Sequence, residues 1–394
     1  MRVLFTTHPA YGHLHPLLPL AGALRDGGHE VRFAAGARFG QTIRAAGFDN
    51  VPAGLDWLEA DKSGMPAELR PSPESTIEEY FTQQFVTATA GALARDVVHL
   101  AASWRPDIVV RERTEFGGAL AADLLSIPIV AVQVGSPSLF TTAQMSSIDP
   151  AYNAARAGLS LLPDIALRSL ESQPVLWAGA PELFDPGTPK PSRLLTLRPA
   201  GADHHDAFAL PERLAQLGQL RPLVYATLGT VFNNPAFELP FFPSVLEGLR
   251  DEDLDVIATV GPNGDPEAFG SGSPNVYVER YIPQSMLFPL CSAVICHAGY
   301  GTMLAAVQHA VPIIAVPFGA DQHLNARTIE RLGIGAVIDE DDVTPSSVRA
   351  AVRAVLHEPT VGQNIRRLRD SCRELPTFQD AVQTIEALVR VHGA

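Results

Sequence analysis

The chain has 394 residues, 46% of them hydrophobic and 18% charged, with a formal charge of −14 from 43 acids against 29 bases. That length carries about two to three domains' worth of sequence with large apolar cores. The acidic balance excludes a nucleic acid or an anionic membrane as main partner, since either needs a concentrated basic face, yet it permits a phosphate held at a helix N-terminus.

In chain order, residues 1–7 (MRVLFTT) predict a short buried strand. A polar turn over 8–15 leads to a helix opened by Pro16, with Leu17, Leu18, Leu20, Ala21 and Leu24 as its apolar stripe and Gly27-Gly28 as its stop. Residues 30–35 predict a second strand, 39–47 a short helix and 48–53 a third strand. This alternation argues for a parallel, doubly wound sheet. The rhythm is lost over 55–90, where Pro66, Pro71 and Pro73 fall, before a helix through roughly 85–103. Strands resume at 107–110 and 127–132 around a helix at 116–125, and 136–175 is irregular again. Long irregular insertions in an α/β scaffold are commonly functional.

The layout restarts at 222–230 (PLVYATLGT), followed by a helix at 238–249 and strands at 255–260, 275–278, 291–296, 312–316 and 335–338. The expected architecture is therefore α/β: two Rossmann-like domains facing each other across a cleft, joined somewhere in 199–221. The expected boundaries are 1–205 and 206–376. Residues 377–394 hold an amphipathic helix opened by Thr377, which either forms a third layer of the second domain or ties back to the first. In such sheets ligands bind at the carboxyl ends of strands. Cys291, Cys296 and Cys372 read as reduced thiols, no apolar run reaches the ~18 residues of a membrane span, and residues 1–13 lack a signal-peptide pattern. A cytoplasmic protein is expected.

The turns after the predicted strands carry the chemistry. His297 ends a buried strand, and Ala298-Gly299-Tyr300-Gly301-Thr302 opens a helix. Small residues let a phosphate approach the backbone, and the N–H groups of a first helical turn can hold it. The pattern is neither a P-loop nor a dinucleotide fingerprint. Taken alone it reads equally as a tight turn closed by a capping Thr. Upstream lies the turn Tyr281-Ile282-Pro283-Gln284; downstream, after the turn 317–320 (PFGA), lie Asp321-Gln322.

With these three turns in this order and at this spacing, the chain resembles the GT-B glycosyltransferases of family 1, of the bacterial antibiotic and macrolide type. In that family a W-x-P-Q-like turn, an H-x-G-x-x-T/S turn and a P-F-x-x-D-Q turn form the donor-binding signature. The resemblance implies that Ile282 meets the donor base through its backbone while Tyr281 supplies the stacking face. It implies that Gln284 lies near the ribose or base, that His297, Gly299, Gly301, Thr302 and the pair Gly229-Thr230 hold the diphosphate, and that Asp321 and Gln322 bind sugar hydroxyls. Plant relatives carry a Glu for both ribose hydroxyls about eight residues after the motif His; Ala305 stands here instead, which favours a dTDP-sugar over a UDP-sugar.

Tyr11-Gly12-His13-Leu14-His15-Pro16 follows the first strand. From the residues alone, His13 reads as capping or packing a helix start. The segment resembles the family's G-H-x-x-P, whose His is the general base, and a neutral imidazole of ordinary pKa ~6.5 suits that task. His8 and His15 have weaker claims. An acid is expected behind the base to set its tautomer. Asp107, Glu112 and Glu115 are available, and Glu112, directly after its strand, is the choice; the alternative is an ion pair with Arg111 or Arg113. The D-x-D runs at 253–255 and 339–342 read as solvated turns, and no zinc spacing is present, so no metal and no resident cofactor is expected.

The resulting expectation is an inverting, metal-independent transferase that moves a deoxysugar from a dTDP-sugar to a hydrophobic aglycone such as a polyketide. Trp57, Met65, Tyr80, Phe81, Phe85, Phe140 and Met145, in the irregular segments, would either line the acceptor pocket or belong to the core. Two rivals fit the same residues: a sugar-nucleotide epimerase or hydrolase of the same fold, and a non-catalytic partner protein that activates a true transferase. Composition leaves the oligomeric state open, with a homodimer as one outcome.

Overall fold

The computed structural model describes residues 1–58, 65–70, 75–201, 210–211, 214, 216–229, 233, 240–261, 264–269 and 273–392. The chain divides into two compact units, one of residues 1–178, 185–202 and 375–394, the other of residues 179–184 and 203–374.

The first unit is built on seven parallel strands: β1 (Arg2–Thr6), β2 (Glu30–Ala35), β3 (Asp49–Pro52), β4 (Ile108–Glu112), β5 (Ile129–Val132), β6 (Val175–Ala178) and β7 (Leu194–Leu197), in the order β3-β2-β1-β4-β5-β6-β7. Central strands buried on both faces read as continuous apolar runs. All five residues of β4 are buried, and Val3 of β1 registers with Val31 and Ile108. The order reverses beside β1, so the loops after β1 and β4 open together, as at the switch point of doubly wound sheets. Phe378, Ala381, Val382 and Ile385 of the helix Phe378–His392 join the core of Leu17, Leu20, Leu24 and Phe33. The last helix thus packs on the first unit. Each fully buried apolar side chain there contributes roughly 1.5–3 kcal/mol. Thr377 accepts from the Asp380 amide at 3.3 Å and donates to its carboxylate at 2.7 Å, which fixes the helix start.

Three local outcomes differ from the sequence-based expectation. The helix expected from Pro16 begins at Tyr11 and runs as three pieces: Tyr11–Leu14, a 3-10 turn His15–Leu17, and Leu18–Asp26. Pro16 and Pro19 lack the N–H groups that would close α-helical bonds there. His13 is therefore helical, not in a turn. The irregular 136–175 region holds the helix Thr142–Ala157, capped by Thr141, whose interior Pro150 and polar face masked its period. The helix expected over 85–103 is preceded by Ile77–Thr82, opened by a Thr76–Glu79 capping box, and by a π-helical turn, Gln83–Thr87, before Ala90–Trp104.

The second unit carries six parallel strands: β8 (Leu223–Thr227), β9 (Asp255–Thr259), β10 (Val276–Glu279), β11 (Ala293–Cys296), β12 (Ile313–Ala315) and β13 (Gly335–Val337), ordered β10-β9-β8-β11-β12-β13. Helices Phe241–Leu249 and Pro345–His357 supply Val245, Leu249, Val348 and Val352 to its core. The three signature turns follow β10, β11 and β12, all at carboxyl ends. Among the described residues no helix is long and apolar enough to cross a membrane.

Candidate active site

In the first unit, β1 and β4 are neighbours, with Thr6 in register with Arg111. The loop after β1 therefore brings His13 against Glu112, the last residue of β4. His13 Nδ1 lies 2.9 Å from Glu112 Oε1, and Glu112 is fully buried. The Thr114 hydroxyl lies 2.8 and 2.6 Å from the two carboxylate oxygens, and its backbone N–H donates to Oε2 at 2.7 Å. Burial pushes the Glu112 carboxyl up, but the His13 ring and its hydrogen bond, helped by His8 and Thr114, outweigh it and hold the group at about 2. An ionised Glu112 accepts Nδ1–H, and that tautomer makes Nε2 the acceptor nitrogen of the imidazole.

The other acids of this segment have different work. Asp107 Oδ2 accepts the Arg2 amide at 2.7 Å at the far end of β4. Glu115 turns inward, accepting from Thr6 Oγ1 at 2.5 Å, from Gly118 N at 2.9 Å and from Gly117 N, and so caps the helix Gly117–Leu125. The ion-pair alternative for Glu112 is not what forms. The Arg111 guanidinium donates to the carbonyls of Arg113 at 2.8 Å and Glu115 at 2.6 Å and to Gln173, and Arg113 donates to Gln133 and lies over the Phe140 ring. His8, fully enclosed, sits 3.2 Å from the Thr114 carbonyl and 3.8 Å from Glu112. Of the seven apolar candidates, Trp57, Met65, Phe81 and Phe140 are core residues, and the Phe85 ring stacks on His13.

In the second unit, β11 ends at Cys296 and the turn His297–Gly299 opens the helix Tyr300–His309. Gly299 is its N-cap without a side-chain cap, and amides at such a helix start can hold an anion. The His297 ring lies between two glycines: a Cβ on Gly229 would come 2.6 Å from its Cε1, and one on Gly299 would overlap its Nε2 at 2.3 Å. Burial lowers the His297 pKa to about 4, opposed by a hydrogen bond from the ring to the Thr227 carbonyl. Gly229 has φ +67, in the left-handed region. Thr230 lies outside the described residues.

The turn after β10 leaves Tyr281 56% exposed and Ile282 only 2% exposed. Ile282 is thus enclosed, with its side chain in the core. Gln284 Nε2 donates to Thr302 Oγ1 at 3.3 Å, joining the first and second signature turns. Gln322 Oε1 accepts from the Phe318 and Gly319 amides at 2.7 and 3.1 Å, so its carbonyl oxygen shapes the 318–319 turn and Nε2 is its remaining polar atom. Asn325 donates to the Ala298 carbonyl at 2.9 Å and to Asp321 Oδ2 at 3.1 Å, which links the second turn to the third. Gly301 has open space around its Cα.

Thr114 and Asn325 escaped the sequence reading. The only signals were a Thr two residues after the acid and an Asn four after Asp321. Asp255, in one D-x-D run, is paired with Arg221 at 2.6 Å, and the acids at 339–342 surround an exposed 3-10 turn. Among the described residues no three His, Cys, Asp or Glu side chains gather as a metal site.

The buried groups give a signed pH dependence. His8 and His297 both sit near 4 against an ordinary 6.5, so the unfolded chain takes up protons first and stability falls as pH drops from about 6.5 toward 4. Burial raises Glu115 to about 7 from 4.5, so its contribution runs the other way, present below 4.5 and lost as pH rises through 7. Glu115→Gln, which mimics the protonated acid, is expected to steepen the acid-side loss of stability between pH 4.5 and 6.5, read by denaturant melts at several pH values. An unchanged slope would show that Glu115 is ionised in the folded state.

Comparison with known proteins follows the same division of the chain. Residues 22–157 match the model of the Erythromycin biosynthesis protein CIII-like N-terminal domain, and residues 243–388 match that of the corresponding C-terminal domain. The chain is 30% identical to the elloramycin glycosyltransferase of Streptomyces olivaceus, over 96% of this chain and 95% of that one. It is 29% identical to the TDP-daunosamine transferase of Streptomyces peucetius, over 100% and 98%. Among solved structures it superposes on spinosyn forosaminyltransferase with a TM-score of 0.80 at 25% identity, covering 99% of each chain. Two parallel-sheet units, signature turns at strand ends and full-length likeness together place this chain in the family 1, GT-B natural-product glycosyltransferases, with the erythromycin CIII-like pair of domains.

Proposed function

We propose that this glycosyltransferase moves a deoxysugar from a dTDP-sugar to a hydroxyl of a hydrophobic natural-product aglycone, with inversion and without a metal. The observation that carries the reading is the 2.9 Å contact of His13 Nδ1 with a buried, Thr114-braced Glu112. Glu112 orients the ring, and Nε2 takes the acceptor proton as the acceptor oxygen attacks the anomeric carbon. The bond from that carbon to the diphosphate oxygen breaks, and the electron pair leaves with the diphosphate. Its charge is met by the first-turn amides of Tyr300–His309, by Thr302 and by the pair Gly229-Thr230. His297 reaches a phosphate by turning its N–H from the Thr227 carbonyl or by taking up a proton. Asp321 and Gln322 Nε2 bind the sugar hydroxyls, Gln284 lies near the ribose, and Tyr281 with the Ile282 backbone receives the base.

The dTDP preference rests on Ala305 and is supported by a relative named for a TDP-sugar. The apolar acceptor is supported by Phe85 beside His13. Calorimetric titration tests the donor: dTDP is expected to bind about tenfold more tightly than UDP, the scale of one methyl or one unfilled hydroxyl contact. Tighter UDP binding would overturn it. In turnover, dTDP release that needs no acceptor would replace transfer by hydrolysis.

A further inference from the structure

We infer that Phe85, presented by the π-helical turn Gln83–Thr87, is a positioning residue that sets the ring plane of His13. The inference rests on His13 acting as the base. The contact with Glu112 sets the distance from Nδ1 to Oε1; the tilt of the imidazole plane about that contact is left open by it, and the tilt decides where Nε2 points. Phe85 bears on it directly. Its ring stacks on His13 with centroids 5.7 Å apart and planes 29° apart, and meets His8 at 4.7 Å and 65°. His8 in turn stands edge-on to His13 at 5.6 Å and 88°, so the three rings form a closed set. Phe81 supports Phe85 from behind at 4.8 Å, and Phe140 supports Phe81.

The backbone is shaped to deliver that ring. In the turn the Ala88 amide bonds to the Gln83 carbonyl, five residues back, at 3.0 Å. A wide turn of this kind adds one residue to a helix and leaves carbonyls short of partners; such insertions concentrate at functional sites. Here Thr87 Oγ1 donates to the Thr82 carbonyl at 3.3 Å and Thr89 Oγ1 to that of Gln84 at 3.1 Å. Two threonines thus satisfy the widened turn. Gln84 and Val86 are buried on either side while Phe85 is left half-buried, against the imidazole.

The test compares Phe85→Leu and Phe85→Met, which keep apolar bulk without a ring face, with Phe85→Tyr, which keeps the ring. The expected result for Leu and Met is a fall in kcat of about tenfold or more, as misplacement of a reacting group produces. dTDP affinity should stay within about twofold, acceptor KM should change less than kcat does, and Tyr should restore most of the rate. The His13 ring-nitrogen NMR signals, assigned by their loss in His13→Ala, should move in Leu and Met and stay in Tyr. A loss confined to acceptor KM, full kcat in Leu and Met, unmoved His13 signals, or a Tyr variant as slow as Leu overturns the inference. His13→Ala in parallel separates the two readings. If it retains turnover, the base assignment fails; if it is inactive while Phe85→Leu is normal, only the positioning role fails.

Discussion

His13→Ala is expected to lower kcat by about a hundredfold or more, the range a positioned base supplies, with dTDP affinity unchanged. The separation follows from chain position: His13 belongs to the first unit and all the donor-signature residues to the second. Glu112→Gln should cost about tenfold or more while leaving the ring in place, because an amide can still accept from Nδ1 but no longer carries the charge that stabilises the imidazolium. It should also destabilise the fold. A carboxyl held at about 2, below its ordinary 4.5, contributes stability that is present above pH 4.5 and lost as pH falls toward 2. Thr114→Val removes a hydroxyl 2.6 and 2.8 Å from that carboxylate and should act in the same direction, more weakly. Steady-state kinetics with saturating donor reads all three. A His13→Ala enzyme within tenfold of the parent would remove the base from the mechanism.

Gly299→Ala should weaken dTDP binding by about tenfold or more, because displacing a ligand-binding loop by an ångström has costs of that order. The reason is steric, not conformational. Gly299 has φ −60 and ψ 138, which alanine adopts freely, but its Cβ would overlap His297 Nε2. A double-mutant cycle separates the two explanations of this glycine. If it exists to seat the imidazole, the cost of Gly299→Ala should largely vanish in a His297→Ala background. If it exists to admit the phosphate itself, the costs should add. Gly301→Ala is the internal comparison, since a methyl there meets nothing within 4 Å and any loss must come from the ligand.

Much of this molecule was readable from residue order because its signals are local. Buried parallel strands are short apolar runs, and the eleven such runs read here, separated by helical stripes, specify doubly wound sheets. The donor turns were legible because each keeps its residues within one loop. Irregular helix pieces were not: the start at Tyr11 and the helix Thr142–Ala157, both with proline inside, and the π-helical turn all depend on which carbonyls find partners. Met65 and Trp57 show the same limit, since an aromatic or Met in a proline-rich stretch reads alike whether it lines a pocket or, as here, closes a small cluster with Leu69.

Residue identity and spacing pointed to the sheet class; the reading of the three signature turns and the choice of Glu112 over Asp107 and Glu115 as partner of His13 came from them together with the family resemblance. Spatial packing supplied what spacing has no means to encode. Thr114 bracing Glu112, Asn325 joining Asp321 to the Ala298 carbonyl, Gln322 spending its carbonyl on the 318–319 turn and Phe85 lying on His13 each link side chains brought together by the sheet or by a helix end. Thr114–Glu112 and Gln322 with the 318–319 amides are local contacts, but hydrogen bonds and ring contacts act over a few ångströms, so His13 meets Glu112, and Asn325 the Ala298 carbonyl, only once β1 and β4, or β11 and β12, stand side by side.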